Sequence, residues 1–174
     1  NVKVGDVLLG LASDGVHSNG YSLVRKLVEM SGLDWEAACP WSAQTLGAEL
    51  LTPTRLYVRP ALAAVRAGGV HALAHITGGG VTENLPRVLP DTMGAQIDLK
   101  TWVLPPVFRW MAETGSMAQA ELLKTFNCGL GMILAVDASK ADALTTLLAG
   151  QGEDVSRIGH VTDRPGIVYT GSLL

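Results

Sequence analysis

Three stretches of this chain carry residue types suited to binding small anionic molecules. The first is HITGGGVTENLP, His75 to Pro86, in which three consecutive glycines follow an apolar run. Glycine lets the backbone approach a ligand closely, and consecutive N–H groups can converge on one anion. A helix starting in VTENL would add the partial positive charge of its N-terminus, and Thr77 would add a hydroxyl. Gly78, Gly79, Gly80 and Thr77 are therefore candidate phosphate contacts, with His75 and Asn84 as flanking candidates. An ordinary strand-to-helix turn satisfies the same local pattern, which leaves both readings open. The chain holds neither G-x-x-x-x-G-K-S/T nor G-x-G-x-x-G, so the loop is neither a Walker loop nor a dinucleotide fingerprint.

The second stretch, SDGVHSNGYSLVR from Ser13 to Arg25, repeats the layout of apolar strand, polar glycine-bearing loop and helix. His17, Ser18 and Asn19 fall at the mouth of the strand, where an imidazole suits a hydrogen bond to a bound substrate or the carriage of a proton. The alternative is helix capping by Ser18 or Asn19 beside an exposed His17. Two such loops in one domain can open onto one cleft. The third stretch is KTFNCGLGM, Lys124 to Met132, where Asn127 suits orientation of a substrate amide. Cys128 there has no evident activating neighbour and reads as a small buried apolar group rather than a nucleophile.

A metal site is not expected. His71 and His75 lie on a strand-like segment, where four residues at roughly 3.3 Å each separate them by about 13 Å. Asp98, Asp137, Asp142 and Glu153 read as turn or surface carboxylates. The four tryptophans show no interleaving with basic residues and are expected to pack.

These stretches need elements to position them. GDVLLGLA (5–12), VHALAHIT (70–77), GAQIDL (94–99) and GMILAVD (131–137) read as strands. VSRIGHV and GIVYTG read as closing strands, joined as a hairpin across DRPG. Helices are expected over 21–32, 42–51, 61–68, 106–115, 117–126 and 138–150, with a short one after the triple glycine. In the first, Leu23, Val24, Leu27 and Val28 share a face. This alternation predicts an α/β (α+β) layered domain with a mixed β-sheet flanked by helices, as one domain spanning 1–174.

Composition narrows the function classes. Hydrophobic residues make up 48% and charged residues 17% of 174, which places the chain among globular proteins. The net charge of −3 and the scattered Lys and Arg argue against a nucleic-acid surface. No apolar run approaches the roughly 20 residues of a membrane span. Two cysteines, Cys39 and Cys128, cannot build a disulfide framework, so a reducing, cytoplasmic compartment is expected. A mean hydropathy of +0.28 is high for a soluble domain and points to apolar surface covered by another domain or subunit. The start at Asn1, without Met, is read as a processed chain or a fragment cut at a domain boundary.

GDVLLGLASDGVHSNGYSLVRKL, LTPTRLYV, VHALAHITGGGVTENLPRVLP and TFNCGLGMILAV occur in the order seen in the phosphoribosylformylglycinamidine cyclo-ligase (AIR synthetase) family. The resemblance runs from about Val4 to the IGHV near residue 161, essentially the whole chain, and its motifs show no departure from the family pattern. It resembles the C-terminal domain of that two-domain enzyme. It implies an absent N-terminal domain that holds most of the ATP and Mg²⁺, and a homodimeric full-length enzyme. It further implies ATP-dependent closure of formylglycinamidine ribonucleotide to aminoimidazole ribonucleotide through phosphorylation of the formamide oxygen. On this reading His17 and Asn19 are catalytic candidates. Ser18, Thr77, Gly78, Gly79, Gly80, His75, Asn84 and Asn127 bind substrate or phosphate. The alternatives are another member of the same ATP-binding superfamily and a non-catalytic phosphate-binding module.

Overall fold

A computed structural model describes all residues from Asn1 to Leu174. In chain order the elements are β1 (Val7–Ala12), α1 (Tyr21–Ser31), α2 (Leu46–Leu50), α3 (Val58–Ala67), β2 (Val70–His75), α4 (Gly80–Asn84), β3 (Gly94–Asp98), α5 (Pro106–Gly115), α6 (Gln119–Thr125), β4 (Leu130–Val136), α7 (Ala141–Gly150), β5 (Val155–Thr162) and β6 (Gly166–Thr170). One six-stranded sheet runs in the order β2-β4-β1-β5-β3-β6. All neighbours are antiparallel except β3 and β6, which are parallel, so the sheet is mixed as expected.

The sheet is covered on both faces, and this explains why β1 and β4 are apolar at successive positions rather than at every second one. Leu8 of β1 enters a core of 31 buried residues formed with α1, α2, α4, α5 and α6. Leu9 and Leu11 enter a second core of 9 residues under α3 and α7. In β4, Ile133 and Ala135 belong to the first core, and Leu134 and Val136 to the second. Helix α3 turns Ala64 inward and leaves Val58, Leu62 and Val65 exposed on its outer side, beside exposed Leu56.

Two sequence expectations change. Helix α2 occupies only Leu46–Leu50, because Thr45 caps it by accepting from the Ala48 N–H at 3.3 Å. The closing strands do not form a hairpin. Both β5 and β6 bond to β3, which lies between them. Residues 163–165 therefore bridge two inter-strand steps of about 4.8 Å, within the reach of four residue-to-residue spacings. The crossing passes over the start of β3. A Cβ on Gly94 would collide with the backbone oxygens of Arg164 and Gly166. The turn signal in DRPG is local, whereas the partner that separates the two strands is some 60 residues upstream.

Gly94→Ala is expected to lower stability by about 2–3 kcal/mol in urea unfolding, because a backbone crossing cannot yield to a methyl group. Gly150→Ala at the end of α7, where nothing lies within 4 Å of the added Cβ, is expected to change it by less than about 1 kcal/mol.

Candidate functional site

Strands β1 and β2 both run antiparallel to β4, one on each side of it, and are therefore parallel to each other. The loops that leave them, SDGVHSNG and TGGG, consequently emerge at one edge of the sheet. The NCG turn that leads into β4 reaches the same edge. All three stretches singled out by residue type are brought together in this way.

The loop after β1 is shaped by its histidine. His17 and Ser18 both adopt left-handed backbone, with φ of 53° and 57°. The His17 side chain is 3% exposed, and its Nε2 accepts from the N–H of Asp14 at 2.9 Å and of Arg55 at 3.3 Å. Two donors facing Nε2 require a lone pair there, so the ring is neutral and carries its proton on Nδ1, which is buried without a partner. Burial lowers the His17 pKa, Asp14 opposes that shift, and His75 and Arg55 add to it. This environment clamps a loop. Its Nε2 is committed to the backbone, and its one unpartnered nitrogen, Nδ1, is buried.

Asn19 joins the two loops. Its Nδ2 donates to the His17 carbonyl at 2.7 Å, and its Oδ1 accepts from the Gly78 N–H at 3.0 Å. It therefore does not cap α1, and Ser18 does not either. The cap is Gly20 in left-handed conformation, with no side-chain bond to the helix start. Helix α4 likewise begins after Gly79 with no side-chain cap. The N–H groups of Tyr21 and Ser22 at one helix start, and of Gly79 and Val81 at the other, have no acceptor within the chain. Uncapped helix starts held side by side leave unspent donors carrying the partial positive charge of a helix N-terminus, with the Glu83 carboxylate of the first turn of α4 beside Gly79.

The three glycines differ. Gly80 has φ 56°, and a Cβ there would collide with the Leu123 carbonyl, so the fold itself needs glycine where α4 meets α6. Gly79 has φ 95°, and its Cβ would stand 2.6 Å from Glu83 Oε2. Gly78 has an ordinary φ, is exposed, and would bring a Cβ no closer than 3.7 Å to Asn19 Oδ1. Nothing in the folded chain requires glycine at 78.

The remaining candidates take supporting places. Asn84 is buried beneath the loop and donates to the carbonyls of Gly80 at 2.8 Å and Gly78 at 3.1 Å, while Thr77 Oγ1 donates to its Oδ1 at 3.3 Å. Asn127 is 1% exposed; its Nδ2 donates to Gly15 O, and its Oδ1 accepts from Ser13 Oγ and the Gly129 N–H, each at 2.8 Å. These two asparagines hold the loops in shape, and their internal bonds leave Asn127 no free acceptor for a substrate amide. His75 is exposed at the end of β2, its ring 6.3 Å from that of Tyr57, and Ser18 is exposed on its loop. His71 lies elsewhere, its Nδ1 2.7 Å from Asp6 Oδ2. Cys128 is buried, and burial pushes its thiol far above the ordinary range. No group of three or more His, Cys, Asp or Glu side chains stands ready to hold a metal ion.

Sequence reasoning missed Arg55. Its guanidinium bonds Asp14 at 2.9 Å, Glu153 at 3.0 Å and the Gly152 carbonyl at 2.9 Å, tying LTPTRLYV to the β1 loop and the turn before β5. Glu153 is consequently a buried member of this network, not the surface carboxylate expected. Tyr57 was missed as well; its hydroxyl donates to Ala12 O at 2.6 Å.

Asn84→Ala, which strands buried carbonyls, is expected to cost about 2–3 kcal/mol in urea unfolding. Gly80→Ala is expected to cost at least as much, and Gly78→Ala less than about 0.5 kcal/mol. A large loss for Gly78→Ala would show that the fold needs this glycine after all.

Comparison with known proteins adds the following. A family model described as "AIR synthase related protein, C-terminal domain" matches residues 3–171. Thiamine-monophosphate kinase from Stenotrophomonas maltophilia is 19% identical with a TM-score of 0.66; the match covers 99% of this chain and 52% of the kinase. Escherichia coli HypE, a hydrogenase maturation protein, is 19% identical with a TM-score of 0.63, covering 98% and 47%. T. maritima PurL complexed with AMPPCP is 14% identical with a TM-score of 0.57, covering 97% and 24%. At these identities the likeness is one of fold. The chain spans about half the length, or less, of these structures.

Proposed function

The chain belongs to the AIR synthase related family through this C-terminal domain, and from that premise we propose that it is the C-terminal part of a phosphoribosylformylglycinamidine cyclo-ligase. In that reaction ATP phosphorylates the formamide oxygen of formylglycinamidine ribonucleotide. A substrate nitrogen then attacks the activated carbon, the ring closes, and aminoimidazole ribonucleotide, ADP and phosphate leave. The ordered motifs HSNGYSLVR, HITGGG and TFNCGLGM support this member over the family's kinase and maturation-protein relatives.

One observation carries the chemistry assigned to this domain. The Asn19–Gly78 hydrogen bond holds two uncapped helix starts together, with unspent N–H donors at both. Such a pair suits a phosphate, of the ribonucleotide or of ATP. Phosphoryl transfer depends mainly on positioning and charge stabilisation, which donors fixed before the ligand arrives provide. Gly78, with room above it that the fold does not use, lets a phosphate oxygen come close to the backbone. Ser18 and Thr77 offer hydroxyls, and His75 an exposed imidazole at the rim. Asn19, Asn84, Asn127 and His17 fix the loops. ATP brings the transferable phosphoryl group, and Mg²⁺ accompanies it. No three His, Cys, Asp or Glu side chains of this chain gather around one point, and no step is assigned to the metal here. The full-length enzyme is proposed to be a homodimer whose other domain holds most of the ATP.

The deciding measurement is turnover by the full-length protein supplied with ATP, Mg²⁺ and formylglycinamidine ribonucleotide. One ADP per aminoimidazole ribonucleotide is expected, with no phosphorylation of thiamine monophosphate. Activity on thiamine monophosphate alone would move the chain to the kinase branch, and activity on neither would favour a binding module. In the active enzyme, Gly78→Ala is expected to weaken ribonucleotide or ATP binding about tenfold or more, seen as a raised KM. Unchanged kinetics would reduce the loop to a turn.

A further inference from the structure

We propose that His17 is a positioning residue whose neutral imidazole latches the two loops into their anion-binding shape, so that acidification releases the anion. This rests on the reading of the joined loops as a phosphate site. The latch is a chain of three contacts. His17 Nε2 accepts from the backbone N–H groups of Asp14 and Arg55 and so holds a left-handed turn that its own backbone does not favour. The His17 carbonyl accepts from Asn19 Nδ2, and Asn19 Oδ1 accepts from the Gly78 N–H. A proton arriving at Nε2 would set three N–H groups against one another. The ring has no space to turn away, because it lies over Gly131, where a Cβ would come within 2.7 Å of His17 Cε1, and beside Tyr57 at a centroid distance of 6.1 Å. Protonation therefore breaks the clamp, and the loss passes along Asn19 to the glycine loop.

The charged and titratable groups facing this ring come from three elements. Asp14, on the same loop, favours the imidazolium, but its carboxylate is engaged by Arg55. Arg55 disfavours it, and so does His75 at the end of β2. Tyr57, at the start of α3, is neutral, because burial raises its pKa. Burial of the imidazole outweighs the pull of Asp14, so the folded His17 titrates below the ordinary value of about 6.5. The latch is therefore fully closed above that value and opens as the pH falls through the lower, folded one.

Sulfate is the appropriate probe, since it stays a dianion throughout. Its affinity for the full-length protein is measured by calorimetry at about pH 8 and about pH 5. The wild type is expected to bind at least tenfold more weakly at the lower pH, the equivalent of one pKa unit. This direction opposes simple electrostatics, by which an imidazolium touching the anion would tighten binding. His17→Gln retains an acceptor that does not titrate, and its two affinities should agree within about twofold. His75→Gln should keep the wild-type ratio. Tighter binding of sulfate by the wild type at low pH, or a flat profile, overturns the latch. No sulfate binding at about pH 8 overturns the phosphate reading itself and the latch with it. Should His17→Gln not fold, nitrogen NMR of the wild type decides: a proton on Nε2 of neutral His17, or titration above about 6.5, overturns the proposal.

Discussion

The width of one strand governs the working edge of this molecule. Because β4 lies between β1 and β2, the loops leaving those strands start two inter-strand steps apart, about 10 Å. That is too far for direct backbone pairing and close enough for one asparagine side chain and a turn of loop to span. The left-handed turn at His17–Ser18, the three-way pinning by Asn127 and the ladder of bonds from Asn84 all serve to bring Asn19 and Gly78 within 3.0 Å. With the strands exchanged or one more inserted, the two helix starts would stand alone.

Polar groups at this edge divide sharply between those used internally and those left free. His17 and Asn127, two of the side chains the sequence offered for contact with a substrate, are buried and committed to the backbone around them. The free groups are plain amides at the starts of α1 and α4, together with the exposed Ser18 and His75. This is the arrangement expected when recognition of an anion is delegated to the main chain. Side-chain order then sets the position of dipoles that need not reorganise on binding.

Much of the fold was legible because its signals are local. Strands covered on both faces read as continuous apolar runs, α1 shows its inward stripe of Val24, Leu27 and Val28, and glycines mark the loops. The order of strand, glycine loop and helix, found twice, located the edge where β1 and β2 end. Roles were less legible, because they depend on what each side chain meets in space. Nothing about Arg55 signals that its acidic partners lie 41 and 98 residues away. Asn84 and Asn127 carry the same groups whether they face a ligand or their own loop. The three glycines of TGGG are identical as letters, and only their surroundings separate Gly80, which the fold needs, from Gly78, which it does not.

The threading of β3 between β5 and β6 has a consequence for how the chain acquires its structure. Strands separated by three residues would ordinarily zip together first, since the loop they close is so short. Here that early pairing is a decoy: it occupies the very edges that β3 must take. The native sheet instead requires a distant segment to take the place between these two neighbours in sequence. Strand β6 pairs with β3 alone, so it acts as a clasp that holds only where β3 is seated.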